Sequence, residues 1–256
     1  NLFFARDIIN FEDWEDLNDL DTSNNELFDF SVMSYNILSQ DLIDQHPHLY
    51  SHCAPFNLTW DYRWQIILQE LQHWDADVLC LQEIQEAHYK EQMLPSLSAM
   101  GYSCHYKRRT GSKTDGCCTC FKSSRFALLC ESHVEYFLPG IHVLNRDNVG
   151  LVLLLCPILQ EGLKEESSYH PVCVANTHLL YNPIRGDIKL AQLALLFAEV
   201  DRMSKTSDGN HHPIILCGDL NATPGSPLYR FIRNGILNYQ NLPAWKVNFP
   251  TIINCN

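Results

Sequence analysis

From residue 28 onward, short hydrophobic stretches of strand length alternate with segments that repeat hydrophobic residues every three or four positions. The first pattern is typical of buried strands, and the second of helices with one face on a core. We predict helices over 61–74, 86–100, 187–203 and 226–234, and strands over 30–38, 77–82, 117–121, 126–130, 149–156, 172–177 and 213–217. The expected inner face of the third helix carries Ile188, Ala191, Leu195 and Ala198. Strands interspersed with helices predict a layered α/β domain.

Charge is distributed unevenly along the chain. The 256 residues carry a formal net charge of −12, and residues 1–30 hold nine of the 30 acidic side chains but one of the 18 basic ones. We therefore predict an acidic arm or linker over 1–27, a domain over 28–242 and a divergent tail over 243–256. The acidity argues against a nonspecific nucleic-acid coat, which needs a basic surface, but leaves room for a local anion site.

The eleven cysteines show no regular spacing, and several lie inside apolar strand-like stretches. The simplest interpretation is that these cysteines are buried free thiols. Free thiols predict a reducing compartment, which is the cytoplasm or the nucleus. The cysteine cluster at 117–120 lacks a second pair at zinc-finger spacing, so we interpret it as strand thiols rather than as a zinc site. No hydrophobic run approaches the ~20 residues of a membrane helix, so no membrane span is expected.

Polar residues recur where the apolar strands stop. Asn36, Glu83 and His178 each follow such a strand, and Asp219 and Asn221 follow another. A carboxylate in this position is often only a cap or turn residue, and a single histidine is often only a hydrogen-bonding group. Because the ends of strands can hold side chains at a common edge of a sheet, their joint occurrence predicts one shared site.

This set of side chains suits metal-assisted hydrolysis of a phosphoester. Glu83 and Asp219 offer the hard oxygen ligands that Mg²⁺ prefers. Asn36 and Asn221 can orient a water or a phosphate without adding charge, and His178 can donate to the phosphate as negative charge develops.

A basic stretch, YKRRTGSK at 106–113, contains Lys107, Arg108 and Arg109. One interpretation is a loop that contacts phosphates beside the site. The other is an ordinary solvated hairpin, and the sequence favours neither.

A series of short motifs resembles the endonuclease/exonuclease/phosphatase superfamily. They are SYNIL at 34–38, LQE at 81–83, DNVG at 147–150, NTHL at 176–179 and CGDLNATP at 217–224. The stretches around them are similar to the deadenylase and nocturnin group, and LLYNPIRGDIK from residue 179 with GSPLY at 225–229 are similar to Angel proteins. The resemblance covers about residues 28–242.

The resemblance implies a four-layer α/β sandwich, in which two packed, mostly antiparallel sheets are flanked by helices. It implies Glu83 as the principal ligand of Mg²⁺, with Mn²⁺ as a second choice of metal, and Asn36 as a contact to metal or water. Asp219 and Asn221 would orient the nucleophile and the phosphate, and His178 would stabilise the phosphate.

Asp147 and Asn148 would support the site, with Asn148 as a substrate contact beside the basic stretch. The implied activity is that of a metal-dependent phosphoesterase on RNA 3′ ends, either a 3′-exonuclease of the deadenylase type or a 2′,3′-cyclic phosphatase. A protein partner, the cap-binding translation factor, is also implied.

One departure from the family pattern concerns the C-terminal part of the chain. The family closes with a Ser-Asp-His motif that this sequence does not contain, so we expect the last strands of the fold to be missing. The alternative function is therefore a catalytically impaired interaction module of RNA metabolism or translation. A phosphatase for a small nucleotide or an inositol lipid head group also stays open.

Overall fold

The structure is a computed structural model that describes residues 28–158 and 170–249. The predicted acidic arm over 1–27 lies outside the described residues. No helix within the two described stretches has the length and apolar composition needed to cross a membrane.

Two four-stranded sheets form the centre of the fold. The strands of sheet A, in spatial order, are β1 (Val32–Asn36), β2 (Val78–Gln85), β4 (Asp115–Lys122) and β3 (Tyr102–Arg108). The strands of sheet B, also in spatial order, are β5 (Phe126–Glu135), β6 (Val149–Pro157), β7 (Val172–His178) and β8 (Ile214–Asp219). Each sheet is antiparallel except for one parallel pair at its edge, β1 with β2 and β7 with β8.

Helices cover the outer faces of both sheets. The helices of the described residues are α1 (Gln40–Gln45), α2 (Trp60–Trp74), α3, α4 (Gly186–Ser204) and α5 (Pro227–Asn234), of which α2 and α3 pack on sheet A and α4 and α5 on sheet B. Helix α3 consists of three consecutive segments, Glu86–His88, Tyr89–Met93 and Leu94–Ala99, of which the middle one is a π-helix. Short 3₁₀ turns are Pro47–Tyr50, Pro55–Leu58, His142–Leu144 and Ala244–Asn248.

The central strands are buried on both faces, which explains their continuous apolar sequences. In β2, Leu79 and Leu81 pack toward α2 and α3, whereas Val78 and Cys80 point into the layer between the sheets. In β6, Leu151 and Leu153 face the same central layer. The result is the predicted four-layer α/β sandwich, with two mixed sheets that are mostly antiparallel.

Two local predictions need correction. Helix α4 buries Lys189, Gln192, Leu193 and Leu196, and Ala198 on the predicted inner face is exposed. Ile188 is buried as predicted, but the rest of the buried face lies about one position later than predicted, and it includes Lys189 and Gln192, which are polar residues with buried partners. The basic stretch is not a loop throughout, because its first three residues belong to β3, which was not predicted.

The segment predicted as a tail packs on the domain where the structure describes it. Val247, in the turn Ala244–Asn248, is buried among residues of α4 and α5. It lies against Gly186 so closely that a Cβ atom at Gly186 would come within 2.4 Å of the Val247 Cβ. A glycine at the start of α4 therefore permits this contact.

Candidate active site

The carboxyl ends of the two parallel strand pairs meet at one edge of the sandwich. Asn36 lies opposite Gln82 in the first pair, and His178 lies opposite Asp219 in the second. Glu83 follows Gln82 directly. Four of the residues predicted from strand ends are thus brought together, and Glu83, His178 and Asp219 place one ligand atom each within 4.8 Å of one another.

Asn36 joins the two carboxylates of the site. Its Nδ2 donates to Glu83 Oε1 at 2.9 Å and to Asp219 Oδ2 at 3.0 Å. Its Oδ1 accepts a hydrogen bond from the backbone N–H of Leu38 at 3.0 Å, which fixes the orientation of the amide. The side chain from sheet A therefore sets the distance between a carboxylate of sheet A and a carboxylate of sheet B.

Glu83 owes its direction to an irregularity in β2. The pairing of β2 with β4 changes register between Leu81 and Ile84, and Glu83 adopts a φ of 57° there. A left-handed conformation costs a non-glycine residue about 1 kcal/mol or more, so it indicates a conformation imposed by its surroundings. The turned carboxylate accepts a second bond, from the backbone N–H of Ser39 at 3.2 Å.

His178 faces both carboxylates without hydrogen bonding to either. Its Nε2 lies 3.9 Å from Glu83 Oε1 and 3.8 Å from Asp219 Oδ2. Its Nδ1 is buried and has no partner among the described residues. The backbone carbonyl of His178 accepts a bond from Asn148 Nδ2 at 3.0 Å, so Asn148 lies behind the histidine as a buried support.

Asn221 lies in a tight turn after β8, with a φ of 47°. Its backbone N–H donates to Asp219 Oδ1 at 2.9 Å, and its Nδ2 donates to the carbonyl of Leu179 at 3.0 Å. Before this turn, at Gly218 in β8, a Cβ atom would come within 2.0 Å of the Thr177 carbonyl oxygen. Only glycine allows β8 to approach β7 this closely.

A buried cation from a helix holds the site loop of each sheet. Arg63 of α2 donates from one guanidinium nitrogen to the carbonyls of Ile37 at 3.0 Å and Leu38 at 2.8 Å. Lys189 of α4 donates to the Asn221 carbonyl at 2.6 Å. Burial lowers the pKa of Lys189 to about 8, while the nearby Asp219 opposes that shift.

The three basic residues predicted to contact phosphates each have an acidic neighbour. Lys107 pairs with Glu135, Arg108 with Glu86, and Arg109 with Asp115, whose Oδ1 lies 3.2 Å from an Arg109 guanidinium nitrogen. Arg109 also donates to the carbonyl of Asp147 at 3.3 Å. This hairpin is therefore tied to the segment that carries Asn148, just before β6, and the positive charges of these three residues are balanced by their acidic neighbours.

An open cleft of about 500 Å³ lies beside the carboxylates. Asp219 and Asn221 form its inner wall, and the ring of Tyr181, which is 76% exposed, stands at its edge. Other lining residues are Pro183, Thr223, Pro224, Tyr229, Asn248 and Phe249.

The donor set fits a hard divalent cation. Two carboxylates face each other across one shared amide donor, and their mutual repulsion favours a cation between them. Carboxylate oxygens are the ligands that Mg²⁺ and Mn²⁺ prefer, and the imidazole of His178 is close enough to join or to contact a bound phosphate.

A family model, that of the Endonuclease/Exonuclease/phosphatase family, matches residues 33–252. The chain belongs to this family. Dependence on a divalent metal is general among its members, which agrees with the acidic group found here.

Angel proteins are among the curated relatives that match the chain. The chain is 59% identical over 244 residues to protein angel homolog 1 of Rattus norvegicus, covering 93% of the chain and 36% of the relative. It is 57% identical over 221 residues to protein angel homolog 2 of Homo sapiens, covering 86% of the chain and 40% of the relative. The chain thus spans about two fifths of the length of these relatives.

Solved structures of the family share the fold. The crystal structure of ANGEL2, a 2′,3′-cyclic phosphatase, in complex with adenosine-2′,3′-vanadate superposes with a TM-score of 0.82 at 57% identity, over 86% of this chain and 62% of that one. The human nocturnin catalytic domain with bound sulfate gives a TM-score of 0.63 at 26% identity, over 86% of this chain and 76% of that one. The predicted resemblance to the Angel and nocturnin group is confirmed.

Several residues that support the site were not predicted from the sequence. Ser39, Lys189, Gln192 and Asn248 bond to site residues or to the loops that carry them. A usable signal existed for two of them, since Lys189 and Gln192 are polar residues three apart in a helix with many apolar neighbours. No local pattern marks the other two.

Proposed function

We propose that this protein is a metal-dependent phosphoesterase that acts on RNA 3′ ends. The observation that carries the proposal is the joining of Glu83 and Asp219 by Asn36, with His178 facing both, at the edge where the two sheets meet. The proposal is supported by the family and by the 57% identity to a structure described as a 2′,3′-cyclic phosphatase.

We favour a 2′,3′-cyclic phosphate terminus as the substrate among RNA 3′ ends. The support is the identity to ANGEL2, because its structure holds an adenosine-2′,3′-vanadate. The exposed ring of Tyr181 beside the cleft offers a surface on which a terminal base can stack. Exonucleolytic removal of 3′ nucleotides uses the same arrangement of residues and is the other outcome of the assay.

Glu83 and Asp219 would hold the cation, which we propose to be Mg²⁺, with Mn²⁺ able to replace it. When bound, such an ion polarises a phosphoryl oxygen and lowers the pKa of a bound water. Asn36 holds the two carboxylates at a common distance, so their geometry does not depend on the ion alone.

The remaining steps belong to side chains of the chain itself. His178 Nε2 points at the space between the carboxylates and can donate to a phosphate oxygen as charge develops. Asp219 can accept a hydrogen bond from the attacking water. Asn221 has its amide nitrogen tied to Leu179, and its side-chain oxygen can orient that water.

Other parts of the predicted function stay predictions. The phosphate contacts of Lys107, Arg108 and Arg109 would require their present acidic partners to be exchanged for phosphate. The cap-binding translation factor as partner, a cytoplasmic or nuclear location, and a role in mRNA decay rest on the resemblance and on the free thiols. The alternative of an interaction module depends on segments outside the described residues.

The test is a hydrolysis assay on one RNA oligonucleotide prepared with three ends, a 2′,3′-cyclic phosphate, a 3′-phosphate and a 3′-hydroxyl poly(A). We expect Mg²⁺-dependent opening of the cyclic phosphate and loss of activity with excess chelator. Glu83→Gln, which keeps the shape but removes the charge, should lower kcat by ~10²-fold or more, since a metal ligand is lost.

Glu91→Gln is the matched control, because Glu91 is exposed on α3 away from the site. It should leave the rate unchanged. Turnover by Glu83→Gln at the rate of the control would refute the assignment of the site, and turnover of poly(A) in preference to the cyclic end would replace the favoured substrate.

A further inference from the structure

Two polar side chains lie on the buried face of α4, directly behind the site. Lys189 and Gln192 are fully buried, with no exposed surface. They are three residues apart, so they lie next to each other on the same face of the helix. A helix packed on a sheet normally buries apolar residues here, and the buried ammonium of Lys189 in particular is costly to desolvate.

Lys189 contacts the turn that carries Asn221. Its Nζ donates to the backbone carbonyl of Asn221 at 2.6 Å, and Asn248 Nδ2 donates to the same oxygen at 2.9 Å. The backbone N–H of Asn221 donates to Asp219 Oδ1. The left-handed backbone of Asn221 is therefore held on both of its polar groups, and the Lys189 ammonium supplies one of the two bonds on the carbonyl side.

Gln192 contacts the segment after His178 and also the buried amide of Asn148. Its Oε1 accepts from the backbone N–H of Leu180 at 3.0 Å, and its Nε2 donates to Asn148 Oδ1 at 3.2 Å. Asn148 in turn donates to the carbonyl of His178. One amide thus fixes the segment after the histidine directly and the histidine backbone through Asn148.

We propose that Lys189 and Gln192 are positioning residues. From one face of α4 they hold Asn221 and His178 of the site in fixed positions relative to each other. The proposal rests on the proposed function, since it assigns these two residues to the same phosphoesterase site. It explains why the helix keeps a buried charge where a leucine or methionine would fill the space without that cost. The other sheet has a counterpart in Arg63, which holds the loop after Asn36.

The first experiment separates positioning from mere stability. Lys189→Met removes the ammonium donor and keeps an unbranched side chain one atom shorter, and Gln192→Leu removes both the donor and the acceptor of the amide. Each should lower kcat by ~10–100-fold with KM changed by less than about threefold, because small misplacement of a transition-state contact acts on kcat. Lys189→Met should leave Tm equal or higher, because an apolar side chain replaces a desolvated charge.

Val200→Ala is the matched control. Val200 is buried on the same helix, away from the residues bonded to the site loops, so its truncation should lower Tm and leave kcat unchanged. If Lys189→Met and Gln192→Leu lose rate only in proportion to a fall in Tm, as a structural role requires, the proposal is wrong. Should Lys189→Met not fold, the neutral Gln192→Leu still gives this comparison for the His178 segment.

The second experiment asks whether Lys189 acts through Asn221. In the double variant Lys189→Met/Asn221→Ala, the loss of kcat should be no larger than in Asn221→Ala alone, because the residue being positioned is already absent. Multiplied losses would contradict the proposal.

A measurement without metal or substrate distinguishes this inference from the proposed function. The ¹⁵N chemical shift of the Ala222 amide reports on hydrogen bonding at the Asn221 carbonyl, and it should move in Lys189→Met but not in Val200→Ala. An unmoved Ala222 signal would overturn the inference whatever the activity. If the unaltered protein hydrolyses none of the three RNA ends, the proposed function fails, while the shift still decides whether Lys189 holds the turn.

Discussion

Asn176 forms a buried polar bridge between the two sheets, and its replacement by leucine gives a prediction with a calculable size. Its Oδ1 accepts from Gln82 Nε2 at 2.8 Å, and its Nδ2 donates to the carbonyls of Cys118 at 2.9 Å and Leu81 at 3.2 Å. Asn176 belongs to β7 of sheet B, and these three partners, with Thr119 Oγ1 as a fourth at 3.4 Å from Nδ2, all belong to sheet A. The side chain has no exposed surface, so no water replaces these bonds.

Each bond of this kind contributes about 1 kcal/mol net, so Asn176→Leu should cost about 3 kcal/mol of unfolding free energy. For a chain of this size, ~2–4 °C of Tm corresponds to each kcal/mol, and the expected fall is ~6–12 °C. Thermal unfolding followed by circular dichroism measures it. A fall of less than about 2 °C would refute the reasoning that these bonds are net stabilising.

A double-mutant cycle isolates the bond between the sheets. Gln82→Met removes the donor and keeps the volume, and together with Asn176→Leu it should show a coupling of about 1 kcal/mol. Strictly additive effects would mean that the bond from Gln82 to Asn176 contributes nothing. Because Glu83 follows Gln82 and His178 lies two residues after Asn176, kcat should fall in the same variants while the individual site residues stay intact.

Two further predictions concern Gly218 near the end of β8 and the buried Lys189. Gly218→Ala should destabilise the protein far more than Gly209→Ala, although both glycines have a positive φ. A Cβ atom at Gly218 would lie 2.0 Å from the Thr177 carbonyl oxygen, whereas a Cβ atom at Gly209 would have no other atom within 4 Å. Equal Tm values for the two variants would contradict this. The pKa of Lys189 is lowered to about 8 in the folded protein, whereas its value in the unfolded chain is near 10.5. Between these two pH values the unfolded state binds more protons than the folded state. The contribution of Lys189 to stability therefore rises with pH in this range. The Tm of the unaltered protein relative to Lys189→Met should therefore increase from pH 8 to 10 and stay constant below pH 7, and a flat difference would contradict the lowered pKa.

The parallel strand pairs explain why the principal site residues could be found from the sequence. Asn36, Glu83, His178 and Asp219 each follow an apolar stretch, and such stretches are visible without coordinates. Parallel neighbours end at the same edge of a sheet, so residues after them become neighbours in space. The structure confirms that convergence, with all four side chains within a few ångströms of the same point.

The buried face of α4 shows where prediction from hydrophobic periodicity fails. Hydrophobic periodicity placed Ala198 inside and did not mark Lys189 or Gln192, whereas the structure exposes the first and buries the other two. A polar residue is buried only when its partners are in reach, and here the partners are Asn221, Leu180 and Asn148. Those residues come from other parts of the chain, so the polar pair in α4 is visible in the sequence, but its burial does not follow from any local pattern.

The sequence likewise did not determine whether the basic residues of the β3–β4 hairpin have acidic partners. Lys107, Arg108 and Arg109 form a dense basic run there, but the structure gives each an acidic partner. For Lys107 and Glu135 that pairing joins the outer strand of one sheet to the outer strand of the other, which depends on how the two sheets pack.

By itself, the sequence determined the alternation of strands and helices, the family, and the residue types at the ends of the strands. Hydrophobic periodicity and the ends of apolar stretches are local properties, so they can be recognised from the sequence alone. The tertiary structure alone decided that Asn36 joins the carboxylates of two sheets, that Glu83 turns toward them, and that α4 supports the site with buried polar groups. These features require segments far apart in the chain to meet at hydrogen-bond distance, and the packing of the two sheets brings them together.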